Sequence, residues 1–297
     1  MAKLEPLKGG YYVWQYVPSM PAAVIFLILF LLATFFHFWK IFRTRVRFTL
    51  PFAIGGLCKR CPTIYPFFRL LTCVSLVEII GYATRIDSHN NTGKLMPYCI
   101  QAVFILLGPA LFAASVYMVL ARIIRSIHAE KYSILPLNWV TKTFVLSDIV
   151  TFLVQAGGSG MMVNSSLTNI GQGIVIAGLG LQVLSFCLFM VTAYVFQTRM
   201  RRKPTAETFD VGIPWKKHLY SMYAISGLVL IRSVFRVVEY AMGNEGYPLS
   251  NEWTLYVFDS VPMFAAMVIF GVWYPSDLRL FLGARGSPCS EILESKA

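Results

Sequence analysis

Charged residues are scarce in this sequence. They make up 13% of its 297 residues, where a soluble domain carries about 25%, so an ordinary water-soluble globule is excluded. Acidic residues are the rarer sign, 14 Asp and Glu against 26 Lys and Arg, for a formal net charge of +12. This excess does not indicate nucleic acid, because it lies between apolar stretches and not on one face of a soluble fold. Histidine is limited to His37, His89, His128 and His218, each alone in its segment, which argues against a membrane hydrolase of the multi-histidine zinc type. No G-x-x-x-x-G-K-S/T phosphate loop is present, so the chain does not itself hydrolyse ATP. Of the six cysteines, Cys58 and Cys61 have metal-ligand spacing, but no second pair or nearby His completes a zinc site. With Cys289 they read as residues of solvated segments open to palmitoylation, while Cys73 and Cys187 read as small apolar packing residues. No metal site, cofactor or catalytic group is expected, and the chain is not read as an enzyme.

What is abundant is apolar surface: 57% hydrophobic residues, 15% aromatic, and a mean hydropathy of +0.63. Seven stretches approach the roughly 20 residues that cross a bilayer: 21–42, 65–86, 97–121, 139–162, 170–196, 219–241 and 252–274. The last lacks lysine, which removes the Schiff-base attachment of a retinal protein. None of the connections is long enough for a second domain. The predicted fold is therefore all-α, one polytopic membrane domain of seven transmembrane helices over 1–297, with 275–297 as a short cytoplasmic tail.

Basic residues are retained on the cytoplasmic side. The first, third and fifth connections and the tail hold seventeen Lys and Arg, against three in the N-terminal segment and the even connections, which predicts the N-terminus outside and the C-terminus inside. Two Asn-x-Ser/Thr acceptors, Asn90 and Asn164, fall in loops assigned outside and are candidate glycosylation sites. The first apolar stretch is too long for a cleavable signal peptide and is expected to insert and stay.

Charge inside the spans is expensive, about 2.5 to 3.5 kcal/mol at mid-bilayer, so it faces the bundle and finds partners. Arg232, Arg236 and Glu239 are spaced i, i+4, i+7 and share one helical stripe. Glu78, Tyr82 and Arg85 repeat the spacing on the second span, and Asp259 lies about 10 Å below the outer end of the seventh. The stripes are predicted to face one another in the outer half of the bundle, with Gln155 and Gln182 near enough to join and Asp148 nearer the cytoplasmic side. Tyr82, Phe235, Tyr240, Trp253 and Tyr256 are the aromatic walls of this cluster. Such a site suits an amphiphile with a polar head. Pairs of Arg and carboxylate also pin helices together with no ligand involved, and that structural role stands beside the binding role. Glycines at 157–160 and 171–180 predict close approach or unwinding of the fourth and fifth helices, and Pro109 and Pro262 predict kinks.

In order along the chain, "YVPS" (16–19), "EIIGYATR" (78–85), "LLGPALFAASVYMVLARI" (106–123), "SDIVTFLVQAGGSG" (147–160), "GLGLQ" (178–182), "IRSVFRVVEYAMGNEG" (231–246) and "NEWTLYVFDSVPM" (251–263) resemble the fungal RTA1-like family of seven-span proteins, also called lipid-translocating exporters. The family's usual His-Pro after the seventh span reads Tyr274-Pro275 here. The resemblance implies a protein of the plasma membrane or an internal membrane that moves sphingoid long-chain bases or other toxic amphiphiles, with membrane lipids and the amphiphile as its partners. It places Glu78, Arg85, Asp148, Gln155, Arg232, Arg236, Glu239 and Asp259 in shared motifs without giving them roles. The alternative is a seven-helix receptor or lipid sensor, although the Asp/Glu-Arg-Tyr and Asn-Pro-x-x-Tyr patterns of common G-protein-coupled receptors are missing.

Overall fold

A backbone immersed in lipid has no water to bond, so it must close its hydrogen bonds within helices or a barrel. The computed structural model describes residues 18–43, 65–90, 95–126, 137–162, 167–202, 215–243 and 246–272, and among these it is helical with no strand. The long helices are α1 (Met20–Arg43), α2 (Tyr65–Asn90), α3 (Leu95–Ser126), α4 (Leu137–Met161), α5 (Thr168–Arg202) and α6 (Trp215–Ala241). Two short ones, α7 (Tyr247–Ser250) and α8 (Glu252–Leu255), lead through a π turn (Tyr256–Ser260) into α9 (Val261–Val272). Cys58, Cys61, Cys289, Asn164, Tyr274-Pro275 and the tail lie outside the described residues, and Asn90 is the last residue of α2.

Among the described residues, six stretches are long and apolar enough to cross a membrane: α1, α3, α4, α5, α6 and the continuous run from α8 to α9. α2 is helical over 26 residues, across the stretch expected as the second span, and carries Arg69, Glu78, Arg85 and Asp87. It packs between α1 and α3.

Successive helices are neighbours, α6 also packs on α3 and α9, and α1 closes against α9. α3 is the central post: 67% of its most apolar stretch is buried, against 28% for α1, α4 and α6. Its Phe112, Val116 and Leu120 meet Phe189 of α5, Ile225 of α6 and Met267 of α9 in one core. The outer faces carry exposed Leu32 and Phe35 on α1, Leu153 on α4 and Leu188 on α5. Contiguous apolar surface of this kind invites aggregation in water, and hydrocarbon chains solvate it without penalty. Cys73 is exposed and Cys187 half-buried, so neither fills the core as expected.

Glycine sets the closest helix approach. A Cβ on Gly171 of α5 would stand 2.7 Å from the Gly158 carbonyl of α4, and one on Gly158 would stand 2.9 Å from the Gly171 carbonyl. Of the two outcomes expected for these glycines, close packing is the one observed, since α4 stays wound through Met161. Gly243 closes α6 with φ +70°, and its N–H donates to the Tyr240 carbonyl at 3.2 Å. Gln172 Nε2 of α5 reaches the same carbonyl at 2.8 Å. The Ser19 N–H bonds to Glu252, shortly after α6, and His89 in the last turn of α2 reaches the Pro18 carbonyl, so the start of α1 and the ends of α2 and α6 lie at one end of the bundle, here termed the Ser19 end.

Candidate functional site

The predicted stripes on α2 and α6 and in the last span do meet. Arg232 is the hub: its Nε pairs with Asp259, Nη1 lies 3.4 Å from Glu78 Oε1, and Nη2 donates to the Ile105 carbonyl at 2.6 Å. One turn on, Arg236 places Nη2 2.5 Å from Asp259 Oδ2 and Nη1 2.8 Å from Glu239 Oε2. Arg232, Glu78 and Asp259 are each at most 2% exposed, whereas the Arg236 side chain keeps 12% of its surface. The cluster is therefore closed at Arg232 and opens, narrowly, at Arg236. Breaking one partner out of a buried ion pair typically costs about 3 to 5 kcal/mol, because the charge left behind has no water. The five side chains are held as a unit.

Three local features of the sequence build the receptacle. Gly108 of α3 has no side chain where the Glu78 carboxylate rests, and a Cβ there would overlap Oε1 and sit 3.1 Å from Cδ. Pro109 has no N–H, so the carbonyl four residues earlier loses its helical donor. That carbonyl belongs to Ile105, and Arg232 supplies the missing donor. Pro262 would press its ring on the carbonyl of Phe258 in a regular helix, and the turn before it widens into the π turn. Adjacent residues Asp259 and Ser260 then both reach inward, Asp259 to the two arginines and Ser260 Oγ to the Tyr82 hydroxyl.

Arg85 shares the α2 stripe but pairs elsewhere. Its Nη2 lies 2.7 Å from Glu252 Oε1, and its Nε donates at 3.1 Å to the Tyr256 hydroxyl, which in turn donates to Glu252 Oε1 at 3.1 Å. The Glu252 carboxylate also accepts the Ser19 N–H, with its two oxygens at 2.9 and 2.8 Å. Beside it, His89 Nδ1 lies 2.6 Å from the Pro18 carbonyl. This second, smaller group ties α1, α2 and α8 together above the main cluster.

The remaining candidates stand apart. Gln155 Nε2 donates to Gln182 Oε1 at 2.9 Å, bridging α4 and α5. Asp148 Oδ2 accepts the Tyr117 hydroxyl at 3.0 Å, within an aromatic group of Tyr117, Phe144 and Phe189. Neither pair touches the charge cluster. The aromatic walls divide as well. Tyr82 and Tyr256 stack on Phe30 and Phe26 of α1, with centroids 5.3 and 5.1 Å apart, and cover the cluster from one side. Phe235 stacks on Phe258 at 4.8 Å, with Trp253 beyond at 6.4 Å, on a face that is largely exposed. Among the described residues, no group of His, Cys, Asp and Glu has the arrangement of a metal site.

A family model described as RTA1 like protein matches residues 71–281. The chain belongs to the RTA1-like family. The match takes in most of α2 and all the later helices, so every charged residue of the cluster falls within it. Among RTA1-like relatives from Saccharomyces cerevisiae, Protein RTA1 is 34% identical over 280 residues, 90% of this chain and 86% of that one. Protoporphyrin uptake protein 1 is 31% identical over 282 residues, covering 89% and 92%. The sphingoid long-chain base transporter RSB1 of strain Lalvin EC1118 is 24% identical over 247 residues, covering 71% and 64%. Together with the six apolar helices, membership makes this an integral membrane protein of a family that includes transporters.

Proposed function

We propose that the protein moves cationic amphiphiles, of the class of sphingoid long-chain bases, across the plasma membrane. The observation that carries this reading is the buried cluster itself, with three carboxylates, Glu78, Glu239 and Asp259, set around two guanidiniums in the interior of the bundle. A primary ammonium is a compact donor of three hydrogen bonds that a carboxylate can take over from a guanidinium. Under the positive-inside orientation, the Ser19 end faces outward and the cluster lies in the outer half. Arg236 and Glu239 stand at its less buried edge, where a headgroup arriving between α6 and the π turn meets them first. The exposed apolar faces of α6 and α9 leave the alkyl tail in contact with lipid. A relative bearing the name of a sphingoid base transporter supports the substrate class.

The test is protein-dependent transbilayer movement of labelled sphinganine in liposomes holding the purified chain, compared with Glu239→Gln at equal density. Loss of a charge-assisted contact of about 1.5 kcal/mol corresponds to a decrease of about tenfold. Wild-type movement by a correctly folded Glu239→Gln protein would remove Glu239 from the site. If wild type moves nothing while a control flippase does, the chain is better read as a lipid sensor whose ionic cluster pins helices.

A further inference from the structure

The five ionisable side chains of the cluster do not balance. Glu78, Glu239 and Asp259 oppose Arg232 and Arg236, and no other cation of the described residues is within ion-pair distance of the three carboxylates. The next guanidinium, Arg85, is matched by its own carboxylate, Glu252. Fully ionised, the cluster would hold one uncompensated negative charge in a water-poor interior, which is the arrangement burial penalises most.

The geometry also distinguishes the carboxylates. Asp259 lies between both guanidiniums, and Glu239 takes Arg236 at 2.8 Å. Glu78 has a single guanidinium contact, and it is long at 3.4 Å, because Arg232 directs Nε to Asp259 and Nη2 to the Ile105 carbonyl. The groups around Glu78 offer no better cation. α3 presents the backbone at Gly108. α6 presents Arg232, with Arg236 and Glu239 beyond it, and the π turn presents Asp259 and Ser260. Its own helix adds Tyr82, and α1 covers that side with Phe26 and Phe30.

We propose that Glu78 holds one exchangeable proton when the site is empty, and that a bound ammonium head replaces that proton, so that one cationic amphiphile is exchanged for one proton. This rests on the transport reading above and adds its coupling. The balance is simple. The amine enters from one face as R–NH3+, the Glu78 O–H bond breaks and its proton passes to water at that same face; when the amine leaves at the opposite face, Glu78 takes up a proton from the water there. The charge of the cluster is the same before and after.

Proteoliposomes of the full chain test this with two probes, sphinganine and its N,N,N-trimethyl derivative, whose fixed charge prevents passive crossing as a neutral base. Proton flow is read with a trapped pH dye. The expected result is one proton counter-moved per amine, a rate that follows an imposed pH gradient, and no response to a potassium-valinomycin potential. Glu78→Gln leaves two carboxylates for two guanidiniums, so its residual amine movement is expected to lose the pH-gradient dependence and to respond to the potential. Movement of either amine by wild type without proton counterflow overturns the coupling and leaves the transport reading intact. Movement of neither overturns both. Infrared spectra of the ligand-free protein give a readout independent of transport. A protonated-carboxyl band present in wild type and in Asp148→Asn, but absent from Glu78→Gln, is expected, and a wild-type spectrum without that band refutes the proton site whatever the liposomes do.

Discussion

Substituting Gly108 with alanine tests the receptacle directly. The new Cβ would overlap Glu78 Oε1 and stand 3.1 Å from Cδ, so the carboxylate has to withdraw by about 1 Å to reach normal contact. The displaced group is the end of a flexible side chain and not backbone, which places the cost in the lower part of the usual overpacking range, about 1 to 2 kcal/mol. The retreat also lengthens an Arg232 contact that is already 3.4 Å. For a protein of this size, such a loss lowers the midpoint of thermal unfolding by roughly 3 to 6 °C. The assay is a double-mutant cycle in detergent micelles, with wild type, Gly108→Ala, Glu78→Ala and the double variant followed by intrinsic fluorescence. Once Glu78→Ala has removed the carboxylate, the second change should cost less than about 0.5 kcal/mol, giving a coupling of about 1 to 2 kcal/mol between the two sites. Equal losses in both backgrounds would refute the claim that Gly108 exists to seat Glu78.

Pro109→Ala restores an N–H to the Ile105 carbonyl and frees Arg232 Nη2 from it. It also lifts part of the roughly 3 kcal/mol that proline costs inside a helix. Stability in thermal melts should hold or rise while sphinganine movement falls about tenfold, whereas a joint loss of both would mean that Pro109 acts through helix shape. Gly171→Ala drives a Cβ to 2.7 Å from the Gly158 carbonyl, a backbone atom that can yield only if α4 and α5 part, whereas Gly173 has nothing within 4 Å. The first variant should lose the folded, monodisperse fraction in size-exclusion chromatography and Gly173→Ala should match wild type; identical behaviour of the pair would rule out the close α4 to α5 contact.

The charge stripes were legible because a helix converts i, i+4, i+7 spacing into one face, and because charge in an apolar span has nowhere to go but inward. That reasoning correctly joined Arg232, Glu78 and Asp259. It did not choose among partners: Arg85 has the right spacing to follow Glu78 but lies two turns further along α2, where it pairs with Glu252, the carboxylate that also accepts the Ser19 N–H. Gln155 and Gln182 have the right depth and the wrong azimuth, and they satisfy each other across a glycine-lined contact. The role of Gly108 and Pro109 was not visible, since a proline in a span signals a kink and only the partner helix reveals who takes the freed carbonyl. The Gly-Pro pair itself, one turn of α3 from Ile105, was the available signal. Gln172, Ser260 and the shelf of Phe26 and Phe30 act through contacts between distant segments that periodicity does not encode.

The π turn makes the last transmembrane stretch two independently phased pieces joined by one surplus residue. Removing a residue from Tyr256–Ser260 would leave a well-formed α-helix, yet it would rotate α8 by about 100° and shift it by about 1.5 Å relative to α9. Glu252 would swing away from Arg85 and Ser19 although no contact residue had been changed. In this segment the spacing is therefore constrained as tightly as the side chains themselves.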